Sequence, residues 1–154
     1  MAVDHTIGKD CVLHYNSGTY STPTWVAIPR VGDVTDAGGK NTSSLATRET
    51  GYDVQGAGLK TKTLSFTYLH KPGGSDTVHD ALRSSYDDDT QTEFYAADGA
   101  AATTGTTGYR WYGIVTKFDF VQELEGWSMW DVEIVPARED DSGTLRLPVW
   151  YEVA

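Results

Sequence analysis

Four histidines and several close-set carboxylates are the residues in this chain whose types could do chemistry. His5, His14, His70 and His79 fall on different segments, and no two have the spacing of a metal-binding pair, so they read as structural or incidental. The acidic runs Asp87–Asp89 and Glu139–Asp141 lack the alternating oxygen ligands and closing bidentate glutamate of a calcium loop, and they read as solvated turns. Acid–base pairs of the glycosidase kind could be drawn from Asp119, Glu123, Asp131 and Glu133. Alternating carboxylates are expected on any acidic β-protein, however, and spacing alone does not fix the separation that chemistry needs. Cys11 is the single cysteine, which rules out an intrachain disulfide, and its alternation with Leu13 and Tyr15 predicts a small buried hydrophobe. With no nucleophile elbow, phosphate loop or dinucleotide fingerprint, the chain reads as a non-enzyme that needs no cofactor and no metal.

The elements that must carry these side chains are mostly strands. Tyr109–Val121 and Trp130–Val135 alternate over unusual lengths and are split by a reversal at Glu123–Gly126. Unbroken alternation predicts Tyr112, Ile114, Phe118 and Phe120 on one face, with Gly113, Val115, Lys117 and Asp119 on the other. It likewise sets Trp130, Val132 and Ile134 against Asp131, Glu133 and Val135. A third long run, Leu59–His70, places Leu64, Phe66 and Tyr68 opposite the small hydroxyls of Thr61, Thr63, Ser65 and Thr67. Shorter strands are predicted at Cys11–Tyr15, Trp25–Ile28, Gln91–Ala96 and Leu145–Val153, with Val31–Val34 a kinked or edge segment after Pro29. Thr35–Ser44 reads as a polar loop, Ser44–Gly51 as either a short strand or a loop, and Ala97–Gly108 as an exposed, mobile loop. After Lys71–Gly74 ends the third run, Ser75 or Asp76 caps one helix over Asp76–Tyr86, whose apolar stripe is Val78, Ala81, Leu82 and Tyr86. The fold class is therefore all-β with one flanking helix, sandwich- or barrel-like, in a single domain over residues 1–154.

The 154 residues carry 22 acidic and 12 basic side chains, a formal charge of −10. This opposes nucleic-acid binding, which draws its affinity from lysine and arginine. It remains compatible with a surface past which DNA moves without sticking. No apolar stretch approaches the ~20 residues of a membrane span, and Met1–Thr6 lacks the features of a secretory leader, so synthesis in a cytosol without a membrane anchor is expected. Trp111 and Trp127 fall opposite the main apolar faces of their runs. Burial against a flanking layer or a neighbouring subunit is one account of them, and a sugar-stacking platform is the other. A carbohydrate-binding β-sandwich is thus the rival to a structural role.

The order of these segments resembles the major tail tube proteins of long-tailed bacteriophages. The likeness runs through the strand pair around Thr24–Val34, a polar loop with Glu49 and Thr50, and the hydroxyl-rich strand after Gly58-Leu59. It continues through the helix at Asp80–Ser84, the strand at Thr92–Tyr95, and the hairpin with Tyr112–Val115 and Gly126-Trp127. It covers most of residues 10–153 without an appended immunoglobulin-like domain. The stretch Gly56–Leu59 departs from the Pro-Gly turn of many relatives. The resemblance implies a subunit of hexameric rings that stack into a tube in a virion tail, with DNA passing through the lumen without specific binding. Tail terminator, distal-tail or baseplate, and tape-measure proteins would be its partners. On this reading Thr61, Thr63, Ser65, Thr67, Lys117, Asp119, Asp131 and Glu133 face the lumen. Trp111, Trp127, Lys60 and Lys62 are the inter-subunit candidates.

Overall fold

A computed structural model describes residues 7–46, 48, 51, 53–71, 73, 75–140 and 142–154. His5, Glu49, Thr50, Pro72, Gly74 and Asp141, and the Met1–Thr6 segment, lie outside the described residues. The strands are β1 (Val12–Asn16), β2 (Trp25–Ala27), β3 (Thr35–Ala46), β4 (Asp53–Tyr68), β5 (Thr92–Ala97), β6 (Thr107–Val121), β7 (Met129–Pro136) and β8 (Val149–Glu152). One helix, α1 (Thr77–Asp87), lies between β4 and β5. All pairings are antiparallel, in the order β2-β1-β5-β6-β7-β4-β3, with β8 beside the first residues of β6. The sheet folds back on itself. Lys62 of β4 sets its ammonium 4.0 Å from the Tyr109 ring of β6, although β7 separates those strands in the ladder. Leu13, Phe94 and Trp111 accordingly share one core with Leu64, Phe66, Val132 and Ile134.

The phase of β6 decides which side chains enter that core. A bulge between Val115 and Lys117 adds one residue against β7, and one extra residue reverses the facing of everything beyond it. Trp111, Gly113 and Val115 therefore share the core side with Phe118, which overturns the unbroken alternation expected from sequence. Gly113 is needed there, because a Cβ would stand 2.5 Å from Ile134 Cγ2 and 3.0 Å from the Trp111 ring. Tyr112 and Ile114 instead share the face of Lys117 and Asp119. Tyr112 is buried on that face beside Tyr20, with ring centroids 6.2 Å apart.

Other expectations shift for local reasons. Thr35–Ser44 is strand, not loop: its weak β propensity is overridden by a long ladder to β4, with Thr35 opposite Ser65 and Gly39 opposite Thr61, broken by one register shift between Lys40 and Thr42. Cys11 is exposed, because it ends a short 3-10 turn before β1 begins. The Leu145–Val153 run is strand only from Val149. Pro148 lacks an N–H for the ladder, and Leu145 and Leu147 stay exposed. The Ala97–Gly108 segment is largely exposed, as expected, and hydrogen bonds tie it to its surroundings. Thr107 N donates to Asp98 Oδ1 at 2.8 Å, Ala101 N to His14 Nε2 at 3.2 Å, and Gly105 N to the Val153 carbonyl at 2.8 Å. Asp140 turns inward rather than into solvent, accepting from Ser142, from the Thr144 amide at 2.9 Å and from Arg146 at 3.0 Å.

Helix α1 begins where Asp76 accepts the His79 amide at 3.2 Å. The same carboxylate accepts from Tyr68 Oη at 2.7 Å, Arg30 at 3.2 Å, His70 at 3.2 Å and the Lys71 amide at 3.1 Å. Burial pushes this carboxyl up, but the bonds from Tyr68, Lys71, His79 and His70 outweigh it and hold it well below the usual carboxylate range. The stability it contributes is complete above the usual carboxylate range and is lost as pH falls from that range through the carboxyl's own lowered pKa. Tyr68 is pushed up to about 12, first by burial and then by Asp76. Val78 and Leu82 are buried in the core. From the next turn Ser85, fully buried, accepts the Val115 amide at 3.2 Å. That amide sits at the β6 bulge, so the helix supplies an acceptor there.

Ser85→Ala should therefore cost about 1–3 kcal/mol, the scale of a buried donor left unsatisfied. Chemical denaturation would measure it. A loss below the scatter of surface substitutions would show that the bulge amide finds another partner.

Candidate functional site

Beyond the core, β4 and β3 run on as a two-stranded ribbon. β7 pairs with β4 only over Leu64–Tyr68, whereas β3 pairs with it back to Asp53. The described side chains over 37–44 and 55–61 are all exposed, on both faces. An isolated two-stranded ribbon is at best marginally stable in water, and β3 also presents a twelve-residue strand with an open edge. Native proteins ordinarily cover, blunt or pair an edge of this kind.

The body of the wall carries a continuous polar face. Register puts Ser65 opposite Glu133 and Thr67 opposite Asp131 across β4 and β7. Lys117 is opposite Glu133 and Asp119 opposite Asp131 across β7 and β6. With Asp33, the side chains of Ser65, Thr67, Lys117, Asp131 and Glu133 surround a shallow groove of about 210 Å³. Thr63 is half-buried on the same strand face, and Thr61 is exposed where the ribbon begins. Six of the eight residues singled out from sequence for this face thus share the three-strand register, and Thr63 and Thr61 continue it along β4. Asp119 and Asp131 are like charges in direct cross-strand register. The Lys117 ammonium lies 3.7 Å from Asp119, leaving two further carboxylates, Asp131 and Glu133, on the same rows.

The four residues singled out for inter-subunit contacts separate. Trp111 is 2% exposed inside its own subunit's core, a consequence of the β6 bulge, and leaves that set. Lys62 is tied within the chain to Asp36 at 2.7 Å and lies over the Tyr109 ring. Lys60 remains exposed on the ribbon, directly opposite Lys40. Trp127 remains 75% exposed at the β6–β7 turn.

Sequence reasoning missed a buried ion pair at the other end of β6. Arg110 Nε donates to Glu93 Oε1 at 2.5 Å, with both side chains nearly inaccessible. Asn16 donates to the other Glu93 oxygen at 2.8 Å, and Tyr20 stacks on the guanidinium at 4.2 Å. The available signal was a charged residue at Arg110 between two aromatics in an otherwise apolar run. Among the described residues, no cluster of three or more histidine, cysteine or acidic side chains could hold a metal ion. No helix among them is long and apolar enough to cross a membrane. The described histidines, His14, His70 and His79, pack against other side chains. His14 is buried beside Tyr95, and burial lowers its pKa. His79 packs against His70, Phe118 and Trp130, and its pKa is lowered by burial and then by His70.

An antiparallel wall with one polar face, a single flanking helix and a projecting two-stranded ribbon defines a β-structural module. No protein-family model matches the chain, and no curated protein matches it in sequence. Solved structures do match. The SPP1 tail tube, determined by solid-state NMR with electron cryomicroscopy, superposes with a TM-score of 0.72 at 15% identity, covering 96% of this chain and 80% of that one. The tail of the empty gene transfer agent particle, refined with C6 symmetry, gives 0.69 at 15% identity over 96% and 99% of the two chains. A chain of the six-fold symmetrised baseplate of the anti-feeding prophage gives 0.56 at 8% identity over 99% and 97%. The fold is that of tail tube proteins.

Replacing Asp131 by Asn removes one member of the like-charged pair with Asp119. It should stabilise the isolated subunit by about 0.2–1 kcal/mol in dilute buffer, and the gain should shrink in molar salt. Thermal unfolding at two ionic strengths would measure both, and a destabilised variant would contradict the electrostatic reading of this row.

Proposed function

We propose that this chain is the tube-forming subunit of the tail of a long-tailed phage or related gene-transfer particle, assembling as hexameric rings that stack around a DNA-conducting lumen. The observation that carries this reading is the joining of the tail-tube fold to a wall that is unfinished in one subunit. The described side chains of the β3–β4 ribbon, over 37–44 and 55–61, are exposed on both faces, and ring closure by head-to-tail contacts is a general way to pair such surfaces without leaving edges. Six-fold symmetry in the gene transfer agent tail and the prophage baseplate supports the ring size. On this reading tail terminator, distal-tail or baseplate, and tape-measure proteins are its neighbours, and the virion tail is its location.

The polar face supplies what a conduit needs. Thr61, Thr63, Ser65 and Thr67 offer short uncharged side chains, while Asp119, Asp131 and Glu133 outnumber Lys117. Carboxylates repeated around a ring repel the phosphate backbone. Confinement in a narrow channel screens that repulsion less than an open surface does. A chain that grips DNA at each ring would have to release it at every step, so a lumen without a binding site favours passage. The rival reading as a carbohydrate-binding module loses one of its two tryptophans, because Trp111 is in the core; Trp25 and Trp130 are half-buried, while Trp127 and Trp150 stay exposed.

The test is to replace Asp131 and Glu133 together by lysine in the parent particle and to score tail assembly and DNA delivery separately. Assembled tails that deliver DNA at least tenfold less efficiently are expected. Normal delivery through normal tails would remove the electrostatic role, and full-length monomer that never polymerises would remove the tube reading.

A further inference from the structure

Two exposed features of the wall have opposite charge and sit at opposite ends of it. On the ribbon, Lys40 and Lys60 are direct cross-strand partners and both are exposed. Like charges in that position destabilise a ladder, and here they do so in the part of the sheet with least packing. The adjacent Leu59 is 79% exposed. At the β6–β7 turn, Glu123 and Glu125 flank Leu124, which is fully exposed, and Trp127 follows. The Gly126 amide donates to the Glu123 carbonyl at 3.3 Å and closes this turn into a compact knob. Met129 and Trp130, which follow the knob, lie at the Tyr68 end of β4, because Tyr68 pairs with Trp130. The ribbon lies at the Asp53 end of the same strand. Eight steps of extended chain, from Lys60 to Tyr68, put the lysine pair about 27 Å from that end of the strand.

We infer that the ribbon of one copy docks on the β6–β7 knob of a second copy placed end-on, with Lys40 and Lys60 meeting Glu123 and Glu125 and with Leu59 meeting Leu124 or Trp127. This rests on the tail-tube reading and specifies the contact that joins one ring to the next. A lysine pair and a glutamate pair, each self-repelling in the isolated chain, neutralise each other in the contact. Two exposed apolar patches lose water in the same event. Because donor and acceptor surfaces differ and lie at opposite ends, the contact is heterologous and propagates along the strand direction without self-limiting.

The experiment compares four proteins: wild type, Lys40→Glu with Lys60→Glu, Glu123→Lys with Glu125→Lys, and all four substitutions together. Each double reversal keeps a like-charged pair in place, so folding of the monomer is expected to be unaltered, as thermal unfolding would verify. The critical concentration for polymerisation, read by sedimentation, should rise at least tenfold in each double variant and return towards wild type in the quadruple variant. Trp127→Ala should raise it independently of salt. Polymerisation unchanged by both double reversals would overturn this contact while leaving the tube reading intact. So would a quadruple variant as defective as the doubles. A wild-type chain that stays monomeric at every concentration would overturn both.

Discussion

The register of β6 is the constraint on which the rest of this structure depends. One strand must give Trp111 and Val115 to the core in its first half and Lys117 and Asp119 to the open polar face in its second. Strict alternation forbids that, because all four have the same parity and would all enter the core. Burying two charges in this way is costly unless they are paired. The extra residue after Val115 resolves the conflict by turning the strand over, and buried Ser85 accepts the Val115 amide at the bulge. The flanking helix is therefore more than a lid. Its placement makes the change of face affordable, and the Asp76 node fixes that placement by tying the helix start to Tyr68, Arg30, His70 and Lys71.

Charge is handled in opposite ways on the two sides of the wall. Inside, each buried ionic group is matched: Glu93 by Arg110 and Asn16, and Asp76 by its ring of donors. Such groups contribute little net stability relative to apolar replacements, but they penalise any packing in which a partner is missing. Outside, charges of one sign are placed opposite each other, as Asp119 with Asp131 and Lys40 with Lys60. An isolated subunit gains nothing from either arrangement. On the tube reading proposed above, the first is the repulsive lining and the second the docking surface.

Much of this was legible in the sequence. The three long alternating runs, the capped helix and the polar face of β4 and β7 follow from periodicity and capping chemistry, both local properties. Tyr112, Trp111 and Val115 were assigned to the wrong faces because a bulge leaves no mark in a hydrophobic pattern when both halves of the strand are aromatic. Thr35–Ser44 read as loop because its residues have weak strand preference, and only the ladder to β4 makes them extended. Cys11 and Asp140 went astray for a related reason: alternation and charge runs do not reveal where a 3-10 turn begins or which carboxylate folds inward onto Ser142, Thr144 and Arg146. The Glu93–Arg110 pair joins residues seventeen apart through strand pairing, which one sequence alone does not specify.

A helical reconstruction by electron cryomicroscopy of the polymer formed by the purified chain tests the central claim most directly. The account predicts a hollow tube whose inner surface carries Ser65, Thr67, Asp119, Asp131 and Glu133, with the β3–β4 ribbon packed against another subunit. A polymer with these side chains sealed between subunits or turned to the outside would contradict it.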